Sequence, residues 1–237
     1  MEPPDTSERP RLAIDRAAPT ERIPLGDGSS WVDLTRKFIV EPDHVLAGLL
    51  ADTPWMRGEV WRFDRFVEER RLGASLSGAA LPTALRQAGM HLDATYGVRL
   101  RGASIVYYRD GADFQGRHSD REMKWLDDTL VAAVVLGVRR PFVLRPRRDV
   151  NDPAARLDDS EDVVLDPGEG DLLVMGGRCQ RDWLHGVPAA ETDRPRVAAI
   201  WRWTSRRGRP DTNPGYSEGR HFSDRRGPGG RRHRPVP

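Results

Sequence analysis

The stretch Thr129-Leu-Val-Ala-Ala-Val-Val-Leu-Gly-Val138 contains the longest apolar run of the sequence, and it decides the fold class. At this length it falls well short of the roughly 20 apolar residues that a membrane-spanning helix needs. A short apolar run bounded by turn residues is typical of a buried strand. Similar runs occur at Ile105–Tyr108, Phe142–Leu144, Val163–Leu165, Leu172–Met175, Trp183–Val187 and Val197–Trp203. Seven strands separated by Gly, Pro and Asp predict a β-sandwich or jelly roll.

The residues before Ala103 predict a mixture of short strands and two helices. Pro42 begins a helix that runs through Leu50, since proline is favoured in the first helical turn. A second helix is expected over Leu81–Tyr96, with Gly97 as its C-terminal stop. Short strands are expected within Trp31–Val40 and Val60–Phe66, and the polar segment Glu68–Gly78 predicts a charged loop. The predicted class is therefore mainly β with flanking helices.

Composition divides the chain into three segments. Residues 1–20 are rich in Pro, Glu and Arg and predict a flexible lead-in, while residues 21–205 carry the folded domain. Residues 206–237 contain nine arginines and three acids, so this tail has a charge of 9 − 3 = +6 and the rest has +2 − 6 = −4. Such a tail can bind the phosphates of nucleic acid, or it can be a solvated, disordered end.

The remaining composition indicates a cytoplasmic protein. The N-terminus has no apolar signal-peptide region, and no segment predicts a membrane span. The one cysteine, Cys179, excludes a disulfide within the chain and is interpreted as a small buried residue. A monomer is expected.

Two histidines and an aspartate in the strand-rich half predict a metal site. In an extended segment alternate side chains share a face, so His118 and Asp120 can reach one ion together. His185 follows 185 − 120 = 65 residues after Asp120, within another predicted strand. Two imidazoles and one carboxylate form the facial triad of non-haem Fe(II) oxygenases, which leaves positions open for a cosubstrate and oxygen. Spacing alone also allows the histidines to be ordinary surface or core residues.

The predicted last strand carries two arginines at even spacing, Arg196 and Arg202, which therefore lie on one face. If that face is inward, the arginines need a carboxylate partner, because an unpaired buried cation is costly. A dicarboxylate such as 2-oxoglutarate would supply the partner. The period equally allows both arginines to point outward.

Three segments resemble the AlkB family in order and spacing. YRDGADFQGRHSDRE (108–122) is similar to the first metal-binding segment of that family, and GDLLVMGGRCQRDWLHGVP (170–188) to the second. PRVAAIWR (195–202) resembles its closing Arg-x5-Arg strand. The likeness covers about 100 residues, and the Tyr-x-Asp-Gly start favours the branch that includes eukaryotic DNA-repair members.

The resemblance implies a double-stranded β-helix (jelly roll) that binds Fe(II) and 2-oxoglutarate and acts on nucleic acid with alkylated bases. The N-linked methyl is hydroxylated, and the resulting hemiaminal loses formaldehyde. The residues that match the family's roles are the metal ligands His118, Asp120 and His185, the cosubstrate residues Tyr108, Arg196 and Arg202, and the base-facing acid Glu122. A carboxylate at Glu122 could accept a hydrogen bond from an exocyclic amino group, or it could simply face solvent.

Three positions depart from the family pattern. Val106 stands where many members have Asn, and Ala198 and Ile200 replace an Asn and a Thr of the closing strand. Upstream, residues 61–77 fall where the family has a variable substrate lid. The lid aromatics Trp61, Phe63 and Phe66 could stack on a base, or they could pack the lid on the core.

Two other functions fit the same sequence. One is an oxygenase of this fold that acts on a protein or a small molecule. The other is a jelly-roll module that has lost catalysis and uses the basic tail as a nucleic-acid anchor. The triad and both arginines argue against the second.

Overall fold

A computed structural model describes residues 13–62, 65–120, 122–148, 159–205, 220–221 and 231–235. Within these ranges ten strands form one antiparallel sheet: β1 (Thr20–Pro24), β2 (Ser30–Thr35), β3 (Met56–Arg62), β4 (Arg65–Ser77), β5 (Gly102–Tyr108), β7 (Thr129–Gly137), β10 (Asp171–Gly177), β12 (Arg196–Thr204), β13 (Arg220–His221) and β14 (Arg231–Pro235). A smaller sheet has four strands: β6 (Gln115–His118), β8 (Phe142–Pro146), β9 (Val163–Leu165) and β11 (Trp183–Val187). The helices are α1 (Pro42–Asp52), α2 (Thr83–Tyr96) and α3 (Cys179–Asp182), with 3-10 turns at Gly78–Ala80 and Asp159–Glu161.

The strand order explains why residues that are distant in sequence meet. The large sheet runs β1-β2-β10-β7-β12-β5-β4-β3-β14, with β13 added to β12, and the small sheet runs β6-β11-β8-β9. The closing strand β12 therefore lies between β7 and β5, near the middle of the large sheet. This order places the strand of Arg196 and Arg202 beside β5, which ends at Tyr108.

The large sheet is covered on both faces, which is why its central strands are apolar throughout. One face of β7, with Leu130, Ala132, Val134 and Leu136, packs with α1 and α2. The opposite face contributes Val131 to a second core, together with Phe142, Leu144, Trp183 and Val187 of the small sheet. The predicted jelly-roll architecture, mainly β with flanking helices, is confirmed. The second core borders the site that the two sheets share.

Most predicted elements are present within a few residues of their expected bounds. The helix over Leu81–Tyr96 begins at Thr83 and ends at Gly97, which has a positive φ of 64°. The predicted strands Val163–Leu165 and Trp183–Val187 have the observed bounds. The charged loop predicted over Glu68–Gly78 is wrong, because Arg65–Ser77 is the long strand β4. Its alternating exposed and partly buried residues pair with β3 and β5, and tertiary pairing overrides the polar composition.

Two short segments of the basic tail belong to the large sheet. The pair Arg220–His221 lies against Trp203 and Thr204 of β12, and Arg231–Pro235 pairs with Met56–Val60 of β3. The sequence did not predict these strands. The boundary at residue 205 stays a prediction, because residues 206–219 and 222–230 lie outside the described residues.

The helices within the described ranges are too short and too polar to cross a membrane.

Candidate metal centre

His118 and His185 face each other across two paired strands of the small sheet. They are register partners between β6 and β11, and their ring centroids are 4.5 Å apart. The rings of His185 and Phe142 stack on each other at 5.8 Å between centroids. Strand pairing therefore brings together two imidazoles that are 185 − 118 = 67 residues apart in sequence.

Asp120 completes the group just beyond the end of β6. One ligand atom each from His118, Asp120 and His185 can be chosen so that all three lie within 4.8 Å of one another. In the part of the chain that the structure describes, this is the one group of three His, Cys, Asp or Glu side chains with that geometry. Two imidazole nitrogens and one carboxylate are a donor set that suits Fe(II) and leaves coordination positions open.

Both histidines are held in the neutral form that a metal ligand requires. Burial, with a contribution from the neighbouring His118, lowers the pKa of His185 from 6.5 to about 3. Burial also lowers the pKa of His118. Nδ1 of His118 lies 3.0 Å from the carbonyl oxygen of Gly116, which can only accept a hydrogen bond. Nδ1 also lies 3.2 Å from Nε2 of Gln115, and Nε2 of His118 faces Asp120.

Asp120 is ionised, and both its carboxylate and its backbone N–H are hydrogen bonded. Burial alone would raise its pKa, but Arg202 and the two histidines outweigh burial and hold the pKa of Asp120 well below its usual range. Nε of Arg202 donates to Oδ2 of Asp120 at 2.7 Å, and the backbone N–H of Asp120 donates to Oε1 of Gln180 at 2.9 Å. The other carboxylate oxygen, Oδ1, lies 3.8 Å from Nε2 of His118 and is directed toward the histidines.

The two predicted cosubstrate arginines have different surroundings. Arg202 is paired with Asp120, and its Nη1 donates to Oγ of Ser104 at 3.1 Å. Arg196 is 2% exposed, and within the described ranges its Nε and Nη1 have no hydrogen-bond partner. Its guanidinium lies 5.2 Å from the ring centroid of Tyr108, with which it shares a hydrogen bond. Burial lowers the pKa of Arg196 to about 10, so the side chain remains a cation at neutral pH.

A buried cation with no carboxylate partner among the described residues is costly, and a bound carboxylate would offset the cost. The inward orientation of β12 is settled by its neighbours: Val197, Ala199 and Trp201 pack on the helix side, and Ile200 packs in the core between the sheets. Arg196 and Arg202 share the face of Ile200 because they lie at even spacing from it. The site therefore offers one guanidinium with free donors, which fits the far carboxylate of a 2-oxo dicarboxylic acid.

The departures from the AlkB pattern are neighbours in the structure. Val106 pairs with Ala198 across β5 and β12, and both face the same side of the large sheet as Ile200. Val106 and Ile200 pack against the core between the sheets. Val106, Ala198 and Ile200 therefore form one apolar group on the face of the large sheet that also carries Arg196 and Arg202.

The predicted substrate residues have no described contact with the metal ligands. Glu122 is exposed in the turn that follows Asp120, where the N–H of Met123 donates to the carbonyl of Asp120 at 2.9 Å. Phe66 is partly buried on β4, opposite Trp61 of β3. Phe63 lies outside the described residues. No described contact joins Glu122 or Phe66 to the triad, so their roles stay predictions.

Sequence reasoning missed four residues around this site. Gln180 orders Asp120 from α3, and Ser104 accepts from Arg202. Arg71 of β4 pairs with Glu69 at 3.2 Å and lies close enough to His118 to help lower its pKa. Arg140, 1% exposed, lies 5.4 Å from the ring of Tyr108. Only Gln180 had a signal, since it precedes His185 by five residues within the second metal segment.

The fold and the donor set together define a jelly-roll oxygenase with a two-histidine, one-carboxylate centre. Residues 67–223 match the 2OG-Fe(II) oxygenase superfamily, and the chain belongs to that superfamily. It is an Fe(II)- and 2-oxoglutarate-dependent dioxygenase, and it is AlkB-like.

Two curated relatives carry the AlkB likeness. The DNA oxidative demethylase ALKBH2 of Arabidopsis thaliana is 26% identical over 220 residues, which cover 78% of this chain and 70% of that protein. The human alpha-ketoglutarate-dependent dioxygenase alkB homolog 3 is 28% identical over 211 residues, covering 81% and 72%. Among solved structures, OsALKBH1 superimposes with a TM-score of 0.47 at 14% identity, covering 76% of this chain and 99% of that one.

Proposed function

We propose that this enzyme removes alkyl groups oxidatively from the bases of DNA or RNA, with release of formaldehyde, succinate and CO2. The observation that carries the proposal is the triad of His118, Asp120 and His185, together with the buried guanidinium of Arg196, whose Nε and Nη1 have no hydrogen-bond partner among the described residues. The substrate class is supported by the relatives, of which one is named a DNA oxidative demethylase.

In this proposal the triad holds Fe(II), and Arg196 with Tyr108 holds the far carboxylate of 2-oxoglutarate. Bound iron and 2-oxoglutarate together supply the oxidation of the substrate's alkyl group by dioxygen. The neutral imidazoles provide the metal-binding lone pairs. The Asp120 carboxylate would hold the ion, and its Oδ2 accepts a hydrogen bond from Arg202.

The sequence predicts that Arg202 binds 2-oxoglutarate, but its contacts favour a role in orienting Asp120. Its guanidinium is joined to Asp120 and Ser104, so its first role is to orient a metal ligand. Any contact with the cosubstrate uses the side of the guanidinium that these bonds leave open. Arg196 is therefore the principal carboxylate-binding residue.

The substrate enters from the side of the β3–β4 hairpin. Leu72 of β4 pairs with Tyr107 of β5, so this end of β4 lies beside Tyr108, and the charge of Arg71 contributes to lowering the pKa of His118. The proposed base contacts are Phe66 of β4, Glu122 of the turn after Asp120 and Phe63, which lies outside the described residues. The arginine-rich tail, part of which pairs with β3 as β14, contributes phosphate contacts.

The test is turnover on oligonucleotides that carry 1-methyladenine or 3-methylcytosine, with Fe(II) and 2-oxoglutarate, followed by formaldehyde release. We expect formaldehyde and succinate in equal amounts from wild type and none from His118→Ala. His91→Ala is the matched control, because His91 lies on α2 against Phe38 and should leave turnover unchanged.

Two results would contradict the proposal. If His118→Ala kept wild-type metal affinity and turnover, the metal site would be elsewhere. If the metal-loaded enzyme turned over no methylated single- or double-stranded oligonucleotide, the substrate class would be wrong. Succinate formation with a protein or a small molecule would then identify the same chemistry on another substrate.

A further inference from the structure

A second buried arginine lies behind the proposed cosubstrate pocket. Arg140, between β7 and β8, is 1% exposed, and no carboxylate of the described chain forms a salt bridge with it. The nearest carboxyl groups, Asp110 and Asp113, act on it only from a distance, and Asp113 is occupied by Arg109 at 2.8 Å. Burial lowers the pKa of Arg140 but leaves the group a cation at neutral pH.

The guanidinium of Arg140 is bound instead by backbone carbonyls from two loops. Nη1 donates to Asp110 at 2.9 Å, and Nη2 donates to Asp113 at 2.8 Å and to Pro188 at 2.7 Å. Asp110 and Asp113 belong to the turn directly after Tyr108, and Pro188 directly follows the strand of His185. One side chain therefore ties the end of the cosubstrate strand β5 to the end of the metal-ligand strand β11.

The same two loops are joined by their backbones at a position that admits only glycine. The N–H of Gly111 donates to Thr192 at 2.7 Å, and the N–H of Ala190 donates to Gly111 at 3.0 Å. A Cβ at Gly111 would lie 1.7 Å from the oxygen of Ala190, which is far inside contact distance. The glycine of the Tyr-x-Asp-Gly motif thus allows the loops to close over Arg140.

Arg140 and Arg196 both lie against Tyr108. Their guanidinium carbons are 5.4 Å and 5.2 Å from the centroid of its ring, and the charge of Arg140 helps lower the pKa of Arg196. The two cations repel each other without a buried anion. A dicarboxylate that binds Arg196 would relieve that repulsion, so both charges favour its binding.

We propose that Arg140 is a positioning residue for 2-oxoglutarate, which holds Tyr108 and the adjoining turn in place and adds positive potential behind Arg196 without touching the cosubstrate. The proposal rests on the assignment of Arg196 and Tyr108 to the far carboxylate. Arg140 lies in the connection between β7 and β8, outside the three segments that resemble the AlkB family.

The test measures cosubstrate binding as well as turnover. Arg140→Met and Arg140→Lys are titrated anaerobically with 2-oxoglutarate in the Fe(II)-loaded enzyme, followed by the visible absorption band of the complex and by the rise in melting temperature. We expect Arg140→Met to bind 2-oxoglutarate about tenfold to a hundredfold more weakly, the usual cost of losing a residue that supports a binding group. Arg140→Lys keeps the charge but cannot reach all the carbonyls, so its loss should be smaller.

A second probe separates positioning from general damage. 2-Oxobutanoate keeps the 2-oxo acid that chelates iron but lacks the far carboxylate, so its affinity should be nearly unchanged in Arg140→Lys. Arg139→Gln is the control, since the partners of this adjacent arginine, Glu169 and Asp171, are not part of the site. If Arg140→Met does not fold, the lysine variant carries the test.

The outcomes separate the role of Arg140 from the assignment of Arg196 and Tyr108 to the far carboxylate. Unchanged affinity for 2-oxoglutarate in a folded Arg140 variant would overturn the role of Arg140 alone. Equal losses for 2-oxoglutarate and 2-oxobutanoate would show that Arg140 only stabilises the fold, which also overturns it. Unchanged affinity for 2-oxoglutarate in Arg196→Met would show that Arg196 does not bind its far carboxylate.

Discussion

Arg202 and Asp120 form a 2.7 Å ion pair that links the two sheets of the sandwich at the metal centre. Arg202 lies on the central strand β12 of the large sheet, and Asp120 follows the edge strand β6 of the small sheet. The pair explains why Asp120 stays ionised in spite of its burial. It also gives the first of five predictions.

Arg202→Met should weaken Fe(II) binding by about tenfold to a hundredfold, because it removes the partner that orients a ligand carboxylate. Arg202→Lys should lose less, since the charge remains. Metal affinity is measured by competition with a coloured chelator. Arg22→Gln, which breaks the equivalent pair with Asp33 away from the site, is the control and should leave metal affinity unchanged. Equal affinity in Arg202→Met and wild type would contradict the role given to the pair.

Arg196→Met should raise the melting temperature of the protein without cosubstrate, because it removes a buried cation that has no carboxylate partner in the described part of the chain. The same variant should lose the stabilisation that 2-oxoglutarate gives to the wild type. Both effects are read by thermal unfolding with and without 2-oxoglutarate. A lower melting temperature in the unliganded variant would show that the guanidinium stabilises the free protein.

Metal affinity should change little between pH 7.5 and pH 6. Ligand histidines bind metal only when neutral, and an ordinary histidine with a pKa of 6.5 begins to protonate in this interval. Burial lowers the pKa of His185 to about 3 and also lowers that of His118. Because the pKa of His185 lies below the interval and burial shifts that of His118 downward as well, we expect little competition from protons. A loss of affinity of about tenfold or more over this range would indicate that the histidines titrate as exposed ones do.

Cys179 should be inert toward thiol reagents in the folded protein at pH 8. Its side chain is buried, and burial raises the pKa of the thiol to about 12, so the reactive thiolate is scarce. Titration with a disulfide reagent should give no reaction in buffer and one thiol per chain in denaturant. A fast reaction in native buffer would place Cys179 at an accessible surface.

Removing residues 206–237 should weaken binding to unmodified nucleic acid and flatten its salt dependence. Each arginine that contacts a phosphate contributes about 0.7 to 0.9 to the slope of log affinity against log salt. Because the deletion also removes β13 and β14, a full-length variant with Arg225→Gln and Arg226→Gln tests charge alone. Fluorescence anisotropy over a range of salt measures both, and metal affinity serves as the control. An unchanged slope in both variants would show that the tail does not contact phosphate.

The sequence predicts the elements of this fold better than it predicts the surroundings of the site. Apolar runs identify buried strands directly, and the HxD spacing with His185 identifies a possible metal group. The polar strand β4 was missed because its stability comes from pairing with β5 and β3, which no local pattern records. The Arg202–Asp120 pair and the carbonyls around Arg140 depend on contacts across 82 and up to 48 residues of sequence, so spacing could not reveal them.

The division of the site between the sheets also bears on how the enzyme handles iron while it folds. His118 and His185 come from the small sheet, whereas Arg202 and Arg196 come from the large one. A chain whose sheets have not yet packed lacks the ion pair that orders Asp120 and the pocket that receives 2-oxoglutarate. We therefore expect firm Fe(II) binding only after the two sheets have packed, so that a partly folded chain holds little redox-active iron.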